Sequence, residues 1–180
     1  MAQLSAVSTH LEQSHFLTYD IAQAIRLEHQ TPVYVYSAAT IIGQANKALS
    51  FPNPYGLTVR YAMKACPNAA VVKLLHGLGV NFDVSSGYEA ARALLAGIPA
   101  DRLSLSTQEL PQNFHSLFSQ GILFNACSLH QLDTFGTMFP GGSCGIRFNP
   151  GRGSGGTGKT NVGGPASSFG IWHELKQDVK

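Results

Sequence analysis

Three charged residues of this sequence lie where apolar runs typical of β-strands end, and their types could do chemistry together. Lys64, Asp83 and Arg147 each stand at or near the C-terminal end of a predicted strand. A lysine amine in a partly desolvated position can form a Schiff base with an aldehyde. Each residue alone is also consistent with an ordinary strand end that faces solvent. Their convergence on one rim favours a shared site.

The elements that would position these residues recur at regular spacing. Runs rich in Val, Ile, Phe and Tyr begin roughly 18 to 25 residues apart, the length of a βα unit. Ser86 followed by Glu89 predicts a capped helix start, and Gly97 predicts the end of that helix. Repeated βα units predict a parallel sheet. The predicted strands are 32–37, 57–63, 80–84, 103–107, 122–126 and 144–149, and further helices are predicted at 19–28, 38–49 and 68–78.

The predicted strands alternate between apolar and polar residues. In 80–84 the even positions are apolar and the odd ones polar; in the last strand Ile146 and Phe148 oppose Arg147 and Asn149. Strands covered by helices on both faces are apolar throughout. One polar face instead predicts a closed (β/α) barrel with a functional interior, built from about 250 residues when complete. We therefore expect an α/β fold, a (β/α)8 TIM-like barrel truncated to about its first five strands plus an N-terminal lead-in strand.

Composition narrows the class of protein further. The 180 residues carry a formal net charge of +2, and only 12% are charged, about half the roughly 25% usual for soluble domains, so other protein is expected to cover much of the surface. A charge near zero without a basic cluster argues against nucleic acid and against anionic membranes. No signal peptide or membrane span is recognisable and the three cysteines form no disulfide framework, so a cytoplasmic location is predicted. The seven histidines show no ligand spacing, and no metal site is predicted.

A glycine-rich stretch matches a nucleotide-binding motif letter for letter. Residues 153–160 read GSGGTGKT, which fits the phosphate-loop pattern G-x4-G-K-[ST]. That motif needs a helix directly after the lysine, whose backbone N–H groups cradle the phosphates. The residues that follow, NVGGPASS, do not favour a helix. We interpret the match as accidental, with a nucleotide binder as a distant alternative.

Five segments, in order and correctly spaced across about residues 31 to 171, resemble one known family. They read TPVYVY at 31–36, VRYAMKACPN at 59–68, NFDVSSGYE at 81–89, GIRFNPG at 145–151 and GGPASSFGI at 163–171. These segments are similar to those of the group IV pyridoxal-phosphate-dependent decarboxylases, the diaminopimelate, ornithine and arginine decarboxylases, which have a barrel of the alanine racemase type (fold type III). The resemblance covers an N-terminal portion of such an enzyme.

The resemblance implies roles for the same three residues. Lys64 would be the catalytic lysine and would hold pyridoxal 5'-phosphate as an internal aldimine. Asp83 would lie beside that linkage, and Arg147 would line the barrel near the cofactor ring. Residues 1–37 would be a lead-in helix and strand of a β-sandwich domain, and 38–180 the N-terminal part of the pyridoxal-phosphate-binding barrel. The complete enzyme would be a homodimer, and these 180 residues alone are expected to be inactive.

The implied reaction is decarboxylation of a basic or diamino amino acid in lysine or polyamine biosynthesis. Diaminopimelate, ornithine, arginine, lysine and carboxynorspermidine all stay open as substrates. An amino-acid racemase on the same barrel is the nearest alternative, because the residues that orient the substrate carboxylate decide which bond breaks. A non-catalytic protein that binds pyridoxal phosphate is a third possibility.

The accidental nature of the phosphate-loop match is testable through Lys159. We expect Lys159→Ala to leave enzyme activity nearly unchanged and to have no effect on nucleotide binding, because the wild-type protein would bind none. Equilibrium dialysis with ATP and magnesium, together with a turnover assay, checks this. Saturable ATP binding that the substitution abolishes would contradict the interpretation.

Overall fold

The structure is a computed structural model, and it describes residues 16–155, 157, 160–165 and 167–179. The chain divides into two compact units, Met1–Thr40 and Ile41–Lys180. Within the described residues, no helix is long and apolar enough to cross a membrane.

The described part of the first unit contains one complete helix. α1 spans Tyr19–His29, and Thr18 caps it by accepting a hydrogen bond from Ile21 N at 3.3 Å. The predicted lead-in strand at 32–37 is absent from the described structure, where residues 33–37 have no regular secondary structure. A strand requires a partner for its backbone N–H and C=O groups, and no described segment pairs with this one. Tyr34 is accordingly 90% exposed.

The helices and strands from Ala38 onward follow the predicted βα order. The helices are α2 Ala38–Leu49, α3 Ala69–Gly77, α4 Gly87–Leu95, α5 Phe114–Ser119 and α6 Leu129–Met138. The strands are β1 Arg60–Ala62, β2 Asn81–Val84, β3 Leu103–Ser106, β4 Leu123–Ala126, β5 Gly145–Ile146, β6 Phe148–Asn149 and β7 Ile171–Trp172, with 3-10 helices at Ala100–Arg102 and His173–Asp178.

The sheet is parallel and its strands stand in chain order. β1 to β5 form one five-stranded sheet, and β6 pairs in parallel with β7. A parallel sheet wound in sequence order, with a helix after each of its first four strands, is the beginning of a (β/α) barrel. The predicted fold class is therefore confirmed.

The outer face of the sheet packs on the helices and forms the core. Phe82, Val84 and Leu103 are fully buried there, while Asn81 and Asp83 on the other face of β2 are half-buried. Five phenylalanines from α5, β4 and α6 add an aromatic cluster, with ring centroids 4.3–6.3 Å apart. Such pairs contribute about 0.5–1.5 kcal/mol beyond their buried area. The cluster comprises Phe114, Phe118, Phe124, Phe135 and Phe139.

The last predicted strand, 144–149, departs from the expected alternation. It is split at Arg147 into β5 and β6, which belong to different sheets. Ile146 and Phe148 are 36% and 41% exposed, whereas Asn149 is buried at 2%. The buried amide is satisfied because it bonds to backbone groups of the following loop, so burial of this polar side chain carries no unpaired group.

The predicted start and stop of α4 are both confirmed. Ser86 accepts a hydrogen bond from Glu89 N at 3.2 Å, and the Glu89 carboxylate accepts one from Ser85 N at 2.8 Å. At the other end Gly97 has φ +83°, and Ile98 N donates to Ala93 O at 3.0 Å. This is the left-handed helix terminus that glycine favours.

Two glycine-to-alanine substitutions test the effect of backbone conformation on stability separately from the effect of side-chain packing. A Cβ added at Gly97 or at Gly43, in the middle of α2, would meet no atom within 4 Å. We expect Gly97→Ala to destabilise the protein by roughly 1–2 kcal/mol, because alanine is strained at positive φ. Gly43→Ala should stabilise it by about 0.5–1 kcal/mol through helix propensity. Urea unfolding monitored by circular dichroism measures both, and equal effects of the two substitutions would contradict the assignment.

Candidate active site

The register of β1 and β2 places Lys64 just beyond the residue that pairs with Asp83. Ala62 on β1 stands opposite Asp83 on β2, and Met63 N donates to Asp83 O at 3.0 Å. Met63 is buried at 1%, while Lys64, the next residue, is exposed. Lys64 therefore lies in the turn at the C-terminal end of β1. Its positive charge lowers the pKa of the Asp83 carboxyl, although the two side chains, both within the described residues, form no ion pair.

Burial is the largest influence on the pKa of Asp83. It disfavours the charged carboxylate and raises the pKa above 3.8. The positive charges of Lys64 and Arg60 and a hydrogen bond from Ser106 work in the opposite direction, while the negative charge of Glu89 adds to the rise. The balance leaves the pKa raised. The carboxylate is thus held in a site that only partly compensates for its lost water.

Arg147 occupies the break between β5 and β6. Its backbone N donates to Ala126 O at 2.9 Å, and its O accepts from Ile171 N at 2.8 Å, so neighbouring strands fix it on both sides. The guanidinium carbon lies 4.9 Å from the centroid of the Phe169 ring, within the range of a cation–π contact. No carboxylate within the described ranges forms an ion pair with it.

The charges of Arg147 and Asp83 both influence the pKa of a third residue, Cys127, which follows β4. Burial raises the pKa of the Cys127 thiol, the charge of Arg147 opposes the rise, and the charge of Asp83 adds to it. The structure thus places the three predicted residues at or just beyond the C-terminal ends of strands of the sheet, where the charge of Lys64 lowers the pKa of Asp83 and the charge of Arg147 lowers that of Cys127. From the sequence alone, Cys127 is expected only to be a small apolar packing residue.

The inner face of the sheet beneath this region carries a polar network. Asn125 Nδ2 donates to Ser104 Oγ at 2.9 Å and to Ser106 Oγ at 3.0 Å. Ser104 and Asn125 border an open cavity of about 670 Å³, whose lining also includes Arg60 and Asp83. The predicted alternation placed Ser104, Ser106 and Asn125 on this face but assigned them no role. Their hydrogen bonds depend on strand register, which the sequence alone does not show.

Asn149 joins the two ends of the glycine-rich segment. Its Oδ1 accepts from Gly151 N at 3.1 Å and from Gly164 N at 3.0 Å, and its Nδ2 donates to Gly164 O at 2.9 Å. The phosphate-loop match at 153–160 lies partly outside the described residues. Residues 161–165, which are described, form no α-helix.

The residues present fit the carbonyl end of pyridoxal phosphate. An exposed primary amine stands beside a half-buried carboxylate at the C-terminal end of parallel strands, which is where barrel enzymes hold their chemistry. The open cavity on the inner face includes Asp83 in its lining, which combines polar and apolar residues. The fold is thus the beginning of a (β/α) barrel, with a lysine and a carboxylate at the rim where such barrels carry their functional sites.

Comparison with known proteins identifies the family. The model of the pyridoxal-binding domain of pyridoxal-dependent decarboxylases matches residues 39–180. The chain therefore belongs to the pyridoxal-phosphate-dependent decarboxylases of this fold, and pyridoxal phosphate is the cofactor of the family.

The similar proteins carry a more specific name. Diaminopimelate decarboxylase of Streptomyces coelicolor is 39% identical over 162 residues, 84% of this chain and 34% of that protein. A crystal structure of diaminopimelate decarboxylase superposes with a TM-score of 0.79 at 34% identity, covering 90% of this chain and 38% of that one. The Helicobacter pylori enzyme, crystallised with L-lysine, gives a TM-score of 0.77 at 25% identity, with 87% and 41% covered. The chain spans little more than a third of the length of these proteins.

The raised pKa of Asp83 predicts how this residue affects stability. Because the folded state binds the Asp83 proton more tightly than the unfolded state, the resulting stability is fully present below the ordinary pKa of 3.8. It is lost as the pH rises through the folded-state value. We expect Asp83→Asn to raise the stability of the cofactor-free protein at neutral pH and to change it little below pH 3.8.

Urea unfolding at the two pH values measures this difference, with the same substitution at the exposed Asp101 as the control for loss of a carboxylate. A destabilising effect of Asp83→Asn at neutral pH would show that the neighbouring cations outweigh burial.

Proposed function

We propose that the whole protein decarboxylates diaminopimelate with pyridoxal phosphate attached to Lys64. One observation carries the proposal: in a domain of the pyridoxal-binding family, Lys64 follows the C-terminal end of β1, next to the end of β2 that carries the half-buried Asp83, and its positive charge lowers the pKa of that carboxyl. The proposed substrate follows the name shared by the similar proteins. The names of these relatives also favour a decarboxylase over the racemase and over a non-catalytic cofactor carrier.

The proposed roles follow from the chemistry of each side chain. Lys64 supplies the amine that attaches the cofactor aldehyde. Asp83 supplies a negative charge that holds a proton on the attached nitrogen. Arg147, fixed by two backbone hydrogen bonds and by Phe169, supplies a positive charge without a carboxylate partner in the described region. Bound pyridoxal phosphate provides an electron-accepting ring, which stabilises the carbanion left when CO2 departs.

The proposal extends to the organisation of the whole protein. Residues 38–180 would supply the first strands of the barrel, and residues 1–37 would belong with a second, β-sandwich domain. The whole protein would be a cytoplasmic homodimer that acts on a small-molecule amino-acid substrate. The low charged fraction of 12% is consistent with a surface that is partly covered by a second copy.

The cofactor linkage is tested by reduction with borohydride. The longest protein that the gene encodes is incubated with pyridoxal phosphate, reduced and mapped by peptide mass. We expect a pyridoxyl group on Lys64 and its complete loss in Lys64→Ala. Lys73→Ala, which removes an exposed lysine on α3, is the matched control and should retain the adduct.

The substrate is tested with the same preparation by measuring CO2 release from diaminopimelate, ornithine, arginine and lysine. Release from diaminopimelate at a kcat/KM at least about tenfold above the others is the expected outcome. Preference for another amino acid would sink the substrate assignment. An unmodified Lys64 in the folded protein would overturn the whole proposal.

A further inference from the structure

A buried glutamine of α6 ties together the ends of two strands at the rim of the candidate site. We propose that Gln131 is a positioning residue, which holds the backbone that carries Arg147. The inference rests on the proposed function for its purpose, because that function is what places Arg147 near the cofactor. The hydrogen bonds that carry the inference are contacts within this chain.

The first observation is how fully the amide group of Gln131 is used. The residue is 2% exposed, and its Oε1 accepts a hydrogen bond from Cys127 N at 2.8 Å, just beyond the end of β4. Its Nε2 donates to Thr107 O at 3.0 Å and to Gln108 O at 2.9 Å, just beyond the end of β3. A side-chain amide has two N–H donors, so the two carbonyls match its capacity. One side chain thus joins the ends of both strands.

The second observation is that Gln131 and Arg147 bind the two halves of one peptide group. The C=O of Ala126 and the N–H of Cys127 belong to the same peptide unit, which is planar. Its N–H donates to Gln131, and its C=O accepts from Arg147 N at 2.9 Å. Rotation of this peptide group would break both hydrogen bonds. Gln131 therefore fixes the group from which the backbone of Arg147 takes its position.

The third observation is a similar helix start that uses a carboxylate instead of an amide. Glu89 is the third residue of α4, and its carboxylate accepts from Ser85 N at 2.8 Å. Gln131 is the third residue of α6 and accepts from Cys127 N in the same way. An ionised carboxylate could make this bond too, but it has no proton to donate. The two bonds to the carbonyls beyond β3 therefore require the amide.

The consequence for the site follows from what Gln131 contacts. The hydrogen bonds of its side chain within the described region go to backbone groups, so it acts on the site through the residues that it positions. The side chain of Arg147 lies over the Phe169 ring, and the place of its guanidinium depends on the backbone at its base. Loss of Gln131 should therefore weaken cofactor binding only while the Arg147 side chain is present.

A double-mutant cycle between Gln131→Met and Arg147→Met tests the inference in the longest protein that the gene encodes. The fraction of Lys64 trapped by borohydride is followed against pyridoxal phosphate concentration. We expect Gln131→Met to raise the half-saturating concentration by about three- to tenfold, the order of what one hydrogen bond contributes. In the Arg147→Met background the same substitution should leave this concentration unchanged. An equal fold-change in both backgrounds, which a general loss of structure would give, would overturn the inference.

Two further substitutions separate the hydrogen bonds from the loss of a side chain. Gln131→Glu keeps the shape and the acceptor oxygen but lacks the two donors, and it should raise the half-saturating concentration as well. It is also the second variant to use if Gln131→Met does not fold. Wild-type behaviour of Gln131→Glu would overturn the inference. Gln120→Met is the matched control, because Gln120 is an exposed glutamine after α5 that bonds to Ser116, and it should behave as the wild type.

The fixing of the peptide group is tested without the cofactor through the neighbouring thiol. Cys127 is 6% exposed, and its Sγ donates to Asn125 O at 3.5 Å. In the cofactor-free protein, we expect iodoacetamide to alkylate Cys127 faster in Gln131→Met than in the wild type, because the strand end opens more often. Peptide mass mapping measures the rates, with the half-buried Cys66 as the internal reference. Equal rates at Cys127 would overturn the inference.

The two measurements distinguish failure of the inference from failure of the proposed function. Trapping of Lys64 in the wild type, with the same half-saturating concentration in Gln131→Met, would overturn the inference and leave the proposed function intact. No trapping in the wild type would overturn the proposed function. The alkylation rates would then still decide whether Gln131 holds the end of β4.

Discussion

The half-buried carboxylate of Asp83 is the constraint on which the inner face of the sheet depends. A charge removed from water must be compensated by opposite charge and by hydrogen bonds, or the group takes up a proton. Lys64, Arg60 and Ser106 provide this compensation from β1 and β3. The compensation is incomplete, since the pKa of Asp83 stays raised. Because such a group cannot be placed among apolar side chains, the strands need one polar face, and the helices can cover only the other.

The apolar face supplies the rigidity that this arrangement needs. Phe124 on β4 packs against Phe114 of α5 and Phe135 of α6, with centroids 4.7 and 5.7 Å apart. These rings fix β4 against its helices and so fix the position of Asn125, which faces the opposite side of the same strand. The free energy of burial on one face thereby holds the polar geometry on the other.

The order of strands and helices, the α/β barrel class and the caps of α4 could all be predicted from sequence, because each follows from local periodicity or from a single residue type. Lys64, Asp83 and Arg147 could be predicted as site residues because the strand ends of parallel units meet at one rim. The network of Ser104, Ser106 and Asn125 was not found, since serine and asparagine on an inner face have many possible partners and register selects among them. The lead-in strand at 32–37 and the buried Asn149 were misjudged for a related reason. The burial of Asn149 depends on Gly164, which is distant in the chain. The lead-in segment forms no sheet with another strand of the described residues.

The clamp at Asn149 has an evolutionary consequence. The buried side-chain amide of Asn149 accepts hydrogen bonds from both Gly151 N and Gly164 N. It therefore holds the two ends of the intervening loop together, whatever the sequence of that loop. Doubling the length of such a loop costs only about 0.6 kcal/mol in closure entropy. Relatives could therefore exchange or lengthen this excursion without disturbing the pairing of β6 with β7.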